Sequence, residues 1–477
     1  MDGMRSMTSY LPSFILIVLA VSALGGDSNT SAKTSPEAGA LPYSSLMYGM
    51  ESSQSFQEPG FRYTRRINTI WGATPDLSAL SEDRKLELGR ASLDRATLLG
   101  DAYEFALRVG ADYAAWRDTA EVVERTAGAP VFRGIHLALN GDRDQAQGVL
   151  QRAAAEISRA SGPLGDLAHD WAGVVDGRSE RVWESHFLEG RSVLPESCGE
   201  LPSGSGRHAR CALAAELTAG DVAAVARRQR SLMADPSPDH VDGGARYLEV
   251  TYHDPLRLLI LARADGWMVH EVLGHRSEPA VRLAAARGLA RAARYAEAEA
   301  ILRELEGSIA EAERGAALYS LGQTTRAREI WSDLERRGGD AELLALEAAS
   351  RFGLFGDGAR RRALSAVRGD FQGLTVPRSL LLARALLRAG EGELALLVLQ
   401  SQYRRSWHND LTRVPAEMLL LLAHAKYLSG RDHYSEAREH MVVLSREDAV
   451  LGGILTMLQE LTAPERPTSD RSRTGGN

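Results

Sequence analysis

The chain has 477 residues, 44% of them hydrophobic, which supplies a sizeable core and excludes wholesale disorder. Its net charge of −7 leaves no global positive field to hold a polyanion, so nucleic acid is not an expected partner. Aromatic residues make up only 6%, and Ala and Leu carry most of the apolar content, which favours close helix packing over a sheet.

The expected fold class is therefore all-α. At the N-terminus, Arg5 precedes an apolar run from Tyr10 to Leu24 with small residues at its end, the pattern of a secretory signal over residues 1–25. Spanning a bilayer takes about 20 apolar residues, so cleavage is the preferred outcome over permanent anchoring. The expected location is the periplasm or the exterior of the cell, with no later run long enough to span a membrane. Residues 26–60 are rich in Ser, Thr, Gly and Pro and read as a flexible linker.

Helical patterning starts near Leu77, and residues 61–197 read as N-terminal helical repeats. Two runs, Arg84 to Gly110 and Ala111 to Arg125, carry apolar residues at three- and four-residue spacing. Trp171, Trp183 and Phe187 are expected packing residues. Cys198 and Cys211 are the only cysteines and flank a Gly/Ser/Pro-rich stretch, so residues 198–211 read as a loop closed by a disulfide in an exported protein. Beyond it, Asp235, Asp239, His240 and Asp242 fall in a Pro/Gly-rich turn read as solvated. Tyr247 to Gly266 and Trp267 to Gly274 are expected as a helix pair, and Pro279 as the first-turn residue of another helix. Pro377 and Pro415 also open helices, and residues 464–477 form a polar tail.

Residues 212–463 carry the strongest pattern. Gly322, Gly356 and Gly390 recur every 34 residues, each reading as the close of an Ala-rich helix, with Gly315, Ala349 and Ala383 seven residues earlier and Ala423 before Gly430. This length and Gly/Ala punctuation resembles the tetratricopeptide repeat, a helix-turn-helix unit that stacks into an α-solenoid; Phe132 to Ile157 resembles one further unit. The resemblance implies a concave groove lined by the first helix of each unit, taking a protein or peptide. On that register the groove carries Tyr319, Ser320, Ser350, Arg384, Arg388, Glu417, His424 and Tyr427. Arg384 and Arg388, one turn apart, offer a clamp for a carboxylate or acidic segment; the preferred reading is that they are ordinary exposed arginines of an Arg-rich chain. A non-enzymatic scaffold or adaptor, or a subunit of an envelope complex, is the expected class.

One segment has a catalytic look. His270-Glu271-Val272-Leu273-Gly274-His275 is similar, letter for letter, to the zinc motif of the dipeptidyl peptidase III family, which would make His270 and His275 ligands and Glu271 the general base of a peptidase or other envelope hydrolase. Five-residue spacing places the two His roughly 140° apart on a regular helix. The preferred reading is structural, with Gly274 ending the helix in a left-handed conformation and His275 just beyond it. No Gly-rich phosphate loop or Gly-x-Ser-x-Gly elbow occurs, and no cofactor is expected.

Overall fold

The computed structural model describes residues 80–119, 143–156, 183–188, 195–199, 206–219 and 254–462, apart from 370, 373 and 408–413, with a few single positions between these stretches. The expected signal, linker, Asp/His turn and C-terminal tail lie outside the described residues. Within them the chain is all-α, with no strand. We number the helices α1 (Glu82–Thr119), α2 (Arg143–Glu156), α3 (Trp183–Leu188), α4 (Pro195–Gly199), α5 (Gly206–Ala219), α6 (Asp254–Leu273), α7 (Pro279–Arg291), α8 (Tyr295–Leu302), α9 (Ser308–Ser320), α10 (Thr324–Arg337), α11 (Gly339–Ser350), α12 (Gly356–Arg368), α13 (Val376–Arg388), α14 (Gly392–Trp407), α15 (Ala416–Leu428), α16 (Tyr434–Glu447) and α17 (Gly452–Leu461).

From α7 onward each helix packs on the next, and the first helices of successive pairs also pack on one another, α9 on α11, α11 on α13 and α13 on α15. The result is a helical array with a continuous apolar core. Small residues sit where helices touch: Ala349, Ala383 and Ala423 are fully buried. At Gly315 a Cβ would stand 2.8 Å from Cε2 of the buried Trp331. The Trp331 indole N–H donates to Ala312 O at 3.1 Å, fixing the ring in that notch.

The regular 34-residue spacing conceals unequal units. First helices start at Ser308, Gly339, Val376 and Ala416, so the step is 31, then 37, then 40 residues. Gly322 and Gly390 do close their helices at φ 79° and 77°. Gly356 instead opens α12, and the left-handed position after α11 is taken by Gly353 at φ 69°, three residues earlier. A turn needing φ above zero recruits whichever glycine falls at that point, and the letters alone do not identify it.

Three other expectations are corrected. Gly110 does not break the first helical run: α1 continues through it for 38 residues. Gly266 does not separate two helices either, because α6 runs from Asp254 to Leu273. Its role is close approach, since a Cβ there would lie 2.7 Å from Gly288 O on α7. The Cys-flanked loop is also shorter than 198–211, with Cys198 in α4 and Cys211 inside α5. The disulfide between them is formed. Both sulfurs are buried in a satellite core with Trp183 and Phe187, and Arg263 lies over the Phe187 ring at 4.2 Å. Pro279 occupies the first turn of α7, Pro377 that of α13, and Pro415 the N-cap of α15, as expected.

Glycines at helix contacts and glycines facing solvent should respond oppositely to a methyl group. Gly315→Ala should destabilise the fold by about 1–3 kcal/mol through overpacking against Trp331. Gly148→Ala, in α2 with open space at its Cβ, should be neutral or stabilising by about 0.5–1 kcal/mol. Chemical denaturation of the two variants checks the contrast.

Candidate functional site

The side of the array presented by its first helices is covered by α1, the first helix among the described residues. α1 packs most extensively against α6 and also meets α7, α15 and α17. Leu98, Leu99, Phe105 and Val109 are buried, as their three- and four-residue spacing dictates. An adjoining face of α1 presents Asp101, Glu104, Arg108 and Asp112, at three- and four-residue spacing.

Asp101 accepts from Arg384 Nε at 2.9 Å, and Glu104 accepts from Arg388 Nε at 2.9 Å. Arg384 also pairs with Glu417 on α15. Arg388 reaches Glu347 at 2.8 Å and the Ser350 hydroxyl at 3.3 Å. From there the charges alternate back along the first helices: Glu347 to Arg351 at 2.7 Å, Arg351 to Glu313 at 2.8 Å, Glu313 to Arg287 on α7 at 3.2 Å. This ladder crosses the inner faces of α7, α9, α11, α13 and α15. At only 3% exposure, Arg384 is closed to any carboxylate beyond Asp101 and Glu417 while α1 is in place.

Aromatic and hydroxyl contacts extend the docking toward the C-terminal end. The Phe105 ring stacks on His424 with centroids 4.7 Å apart, and Tyr427 meets Phe105 edge-on. Tyr427 donates its hydroxyl to Asp112 at 2.6 Å, and Tyr113 donates to Glu460 on α17 at 2.5 Å. Nearer the start of α1, the buried Arg95 lies 3.3 Å from Asp265 and 3.4 Å from Asp448.

Six of the eight sequence-derived groove residues therefore converge as a group, namely Ser350, Arg384, Arg388, Glu417, His424 and Tyr427. The expectation that they line an open groove is corrected: α1 fills it. Tyr319 and Ser320 stand apart from this contact. Tyr319 stacks with Phe352 and Trp331 within the array, and the Ser320 hydroxyl donates to its own helix at Ala316 O. Sequence reasoning missed the complementary half, Asp101, Glu104, Phe105 and Asp112. The signal was the acidic spacing on α1, hidden because that helix was divided at Gly110.

Burial and charge act against each other along the ladder. Burial would raise the Glu313 carboxyl, but Arg351 and then Arg287 outweigh it and hold it at about 2. Glu347 is likewise held well below the usual range, by Arg351 and Arg388 against burial. His424 has no acidic neighbour in this set; burial, then the cations Arg108 and Arg388, press it down to about 3. On α16, burial and Lys426 press His440 down to about 4. Asp94 runs the other way, raised to about 7 by burial that Arg287 and Arg90 only partly offset.

The His/Glu segment at the end of α6 does not gather its side chains. His270 is half-buried, its Nδ1 enclosed against Gly274, where a Cβ would lie 2.6 Å away. His275 is exposed and lies 4.0 Å from Glu82. Gly274 caps His270 O at 2.6 Å without a positive φ, correcting the expected left-handed ending; the ring of His270 demands its small size. Among the described residues, no three His, Cys, Asp or Glu side chains are grouped as metal ligands. No family model, curated protein or solved structure matches this chain.

Breaking the ladder should destabilise the protein rather than open a binding site. Arg384→Met leaves the buried Asp101 and the partly exposed Glu417 without this cation, at a cost of about 3–5 kcal/mol; a melting temperature close to that of the parent chain would contradict this. The pH dependence follows from proton uptake. The unfolded chain binds protons at His424 and His440 below about 6.5 while the fold keeps them neutral, so stability falls as pH drops from 6.5 toward 3 to 4. Glu313 and Glu347 add a second loss below their ordinary value near 4.5. Asp94 opposes the trend between about 4 and 7 because the fold binds its proton more tightly. The midpoint of urea unfolding should therefore decrease from pH 7 to 5, and His424→Phe, keeping a ring against Phe105, should flatten that slope.

Proposed function

We propose that the chain is an exported, non-enzymatic scaffold or adaptor of the tetratricopeptide-repeat type, binding a protein or peptide partner. The observation that carries this reading is the array of stacked helix pairs with its inner face already occupied by α1. Apart from α1, which meets α6, α7, α15 and α17, the helix pairs of the array pack mainly on their neighbours, so the architecture offers a long surface. With that inner face covered and its charges compensated, a partner meets the outward side of the array.

Export is supported by the buried Cys198–Cys211 disulfide, a bond favoured in oxidising compartments and rare in reducing ones. It accords with the apolar N-terminal run read as a secretory signal. No helix among the described residues is long and apolar enough to cross a membrane.

In cells, thiol labelling under non-reducing conditions should leave both cysteines unmodified and the protein should fractionate with the envelope or medium. Labelled, cytosolic protein would refute export. Cross-linking of the tagged, folded chain in its native host should recover a protein partner at fixed stoichiometry. Recovery of none, together with stoichiometric zinc that is lost in His270→Ala, would favour a hydrolase instead.

A further inference from the structure

The geometry points to the outer face of α10, α12 and α14 as a docking surface for an acidic amphipathic helix of a partner protein; this rests on the binding reading above and names its surface and partner chemistry. These are the second helices of three successive pairs. α12 packs on α14, and α10 is tied to α12 by Arg361 to Glu335 at 3.7 Å. We call the solvent-facing residues of these three helices the outer strip.

Charge is the first observation. Among exposed residues, α10 carries four Arg, α12 three and α14 two, against four exposed acids, Glu329, Asp333, Asp357 and Glu393. That local excess of five positive charges stands in a chain of net charge −7. It is not the general Arg bias, because the neighbouring second helices lack it: α8 has no arginine and exposes Glu297, and α16 exposes one Arg and one Glu. Within the strip, Arg328, Arg368 and Arg404, one on each helix, have no ion-pair or hydrogen-bond partner among the described residues.

Apolar exposure is the second observation, independent of the first. Three large hydrophobic residues are exposed among the described ones, and all belong to this region: Leu364 at 40%, Leu397 at 44%, and Leu321 at 41% in the turn leading into α10. Each alone is ordinary. Their confinement to the basic strip gives it apolar anchors within a cationic rim, the complement of a helix with a leucine stripe flanked by carboxylates. A shallow depression lined by Thr325, Arg328, Glu329, Ser332, Asp333 and Arg336 adds relief, though no excess charge, to the α10 end. A flat anionic membrane would answer the charge, but leucines separated on two helices and a turn do not form the single apolar face that an interfacial helix buries.

The test uses the full mature chain and a fluorescent synthetic helix with a Leu stripe and Glu flanks, read by anisotropy. Binding should weaken at least tenfold in Arg328→Glu/Arg368→Glu/Arg404→Glu, and separately in Leu364→Ser/Leu397→Ser. A control reversing Arg84, Arg152 and Arg431, exposed on other elements, matches the change in net charge and should bind like the parent. Circular dichroism melts confirm that each variant is folded. Equal loss in the control, retention in the two strip variants, no binding by the parent chain, or binding to phosphatidylglycerol vesicles but not to the peptide would each overturn the proposal. The partner recovered by cross-linking separates the two levels: a partner retained at full strength by both strip variants refutes this surface and leaves the scaffold reading standing.

Discussion

The charge-compensated contact between α1 and the first helices of the array is the constraint on which the rest depends. Removing a carboxylate or guanidinium from water costs several kcal/mol per ion, and mutual attraction roughly repays it when every member has a partner. The ladder from Arg287 to Glu417 meets that condition. Its net contribution to stability is small. Its contribution to register is large, because sliding α1 by one turn would keep only one of Asp101 and Glu104 opposite the Arg384–Arg388 pair and leave the other buried arginine without its α1 carboxylate.

Apolar burial supplies the affinity that the ladder does not. Leu98, Leu99, Phe105 and Val109 are buried against neighbouring helices, and each such side chain is worth roughly 1.5–3 kcal/mol. Four of them outweigh any plausible gain from ion pairs, so α1 is part of the core and not a strap laid over it. This decides how the groove is to be understood. An arginine pair aimed at two carboxylates one turn apart is the recognition expected of a peptide groove, and here the peptide is covalently part of the receptor.

How much was legible in the sequence divides along the same physical lines. Helix class, the first-turn prolines and the buried alanines depend on local propensity and on contacts between adjacent units, and all were readable. The spacing of Arg384 and Arg388 is compatible with a carboxylate clamp, but nothing in it separates that arrangement from two exposed arginines of an Arg-rich chain, and burial under α1 decides between them. The identity of the occupant was not readable, because Asp101 lies 283 residues from Arg384 and nothing local couples them. Glycine misled in both directions. At Gly110 and Gly266 it reads as a break, yet a long helix tolerates it at a cost of about 1 kcal/mol, and at Gly266 close packing on Gly288 requires it. At Gly356 a regular spacing disguised a turn made by Gly353.

Filling the inner face changes what the array offers to its surroundings. In an open array the inner helices carry recognition and the outer ones carry solubility, so the outer row would be expected to mix charges and hide leucines. Here α8 and α16 follow that pattern, while α10, α12 and α14 depart from it with excess arginine and exposed Leu364 and Leu397. Exposed leucine favours self-association, and like charges crowded on adjacent helices repel, so neither feature stabilises the isolated chain. Both become favourable together only when a surface of opposite charge and matching apolar relief covers them. The outward face is thus the part of the molecule whose local energetics remain incomplete, whereas the inward face, with its carboxylates and arginines matched, is complete within the chain.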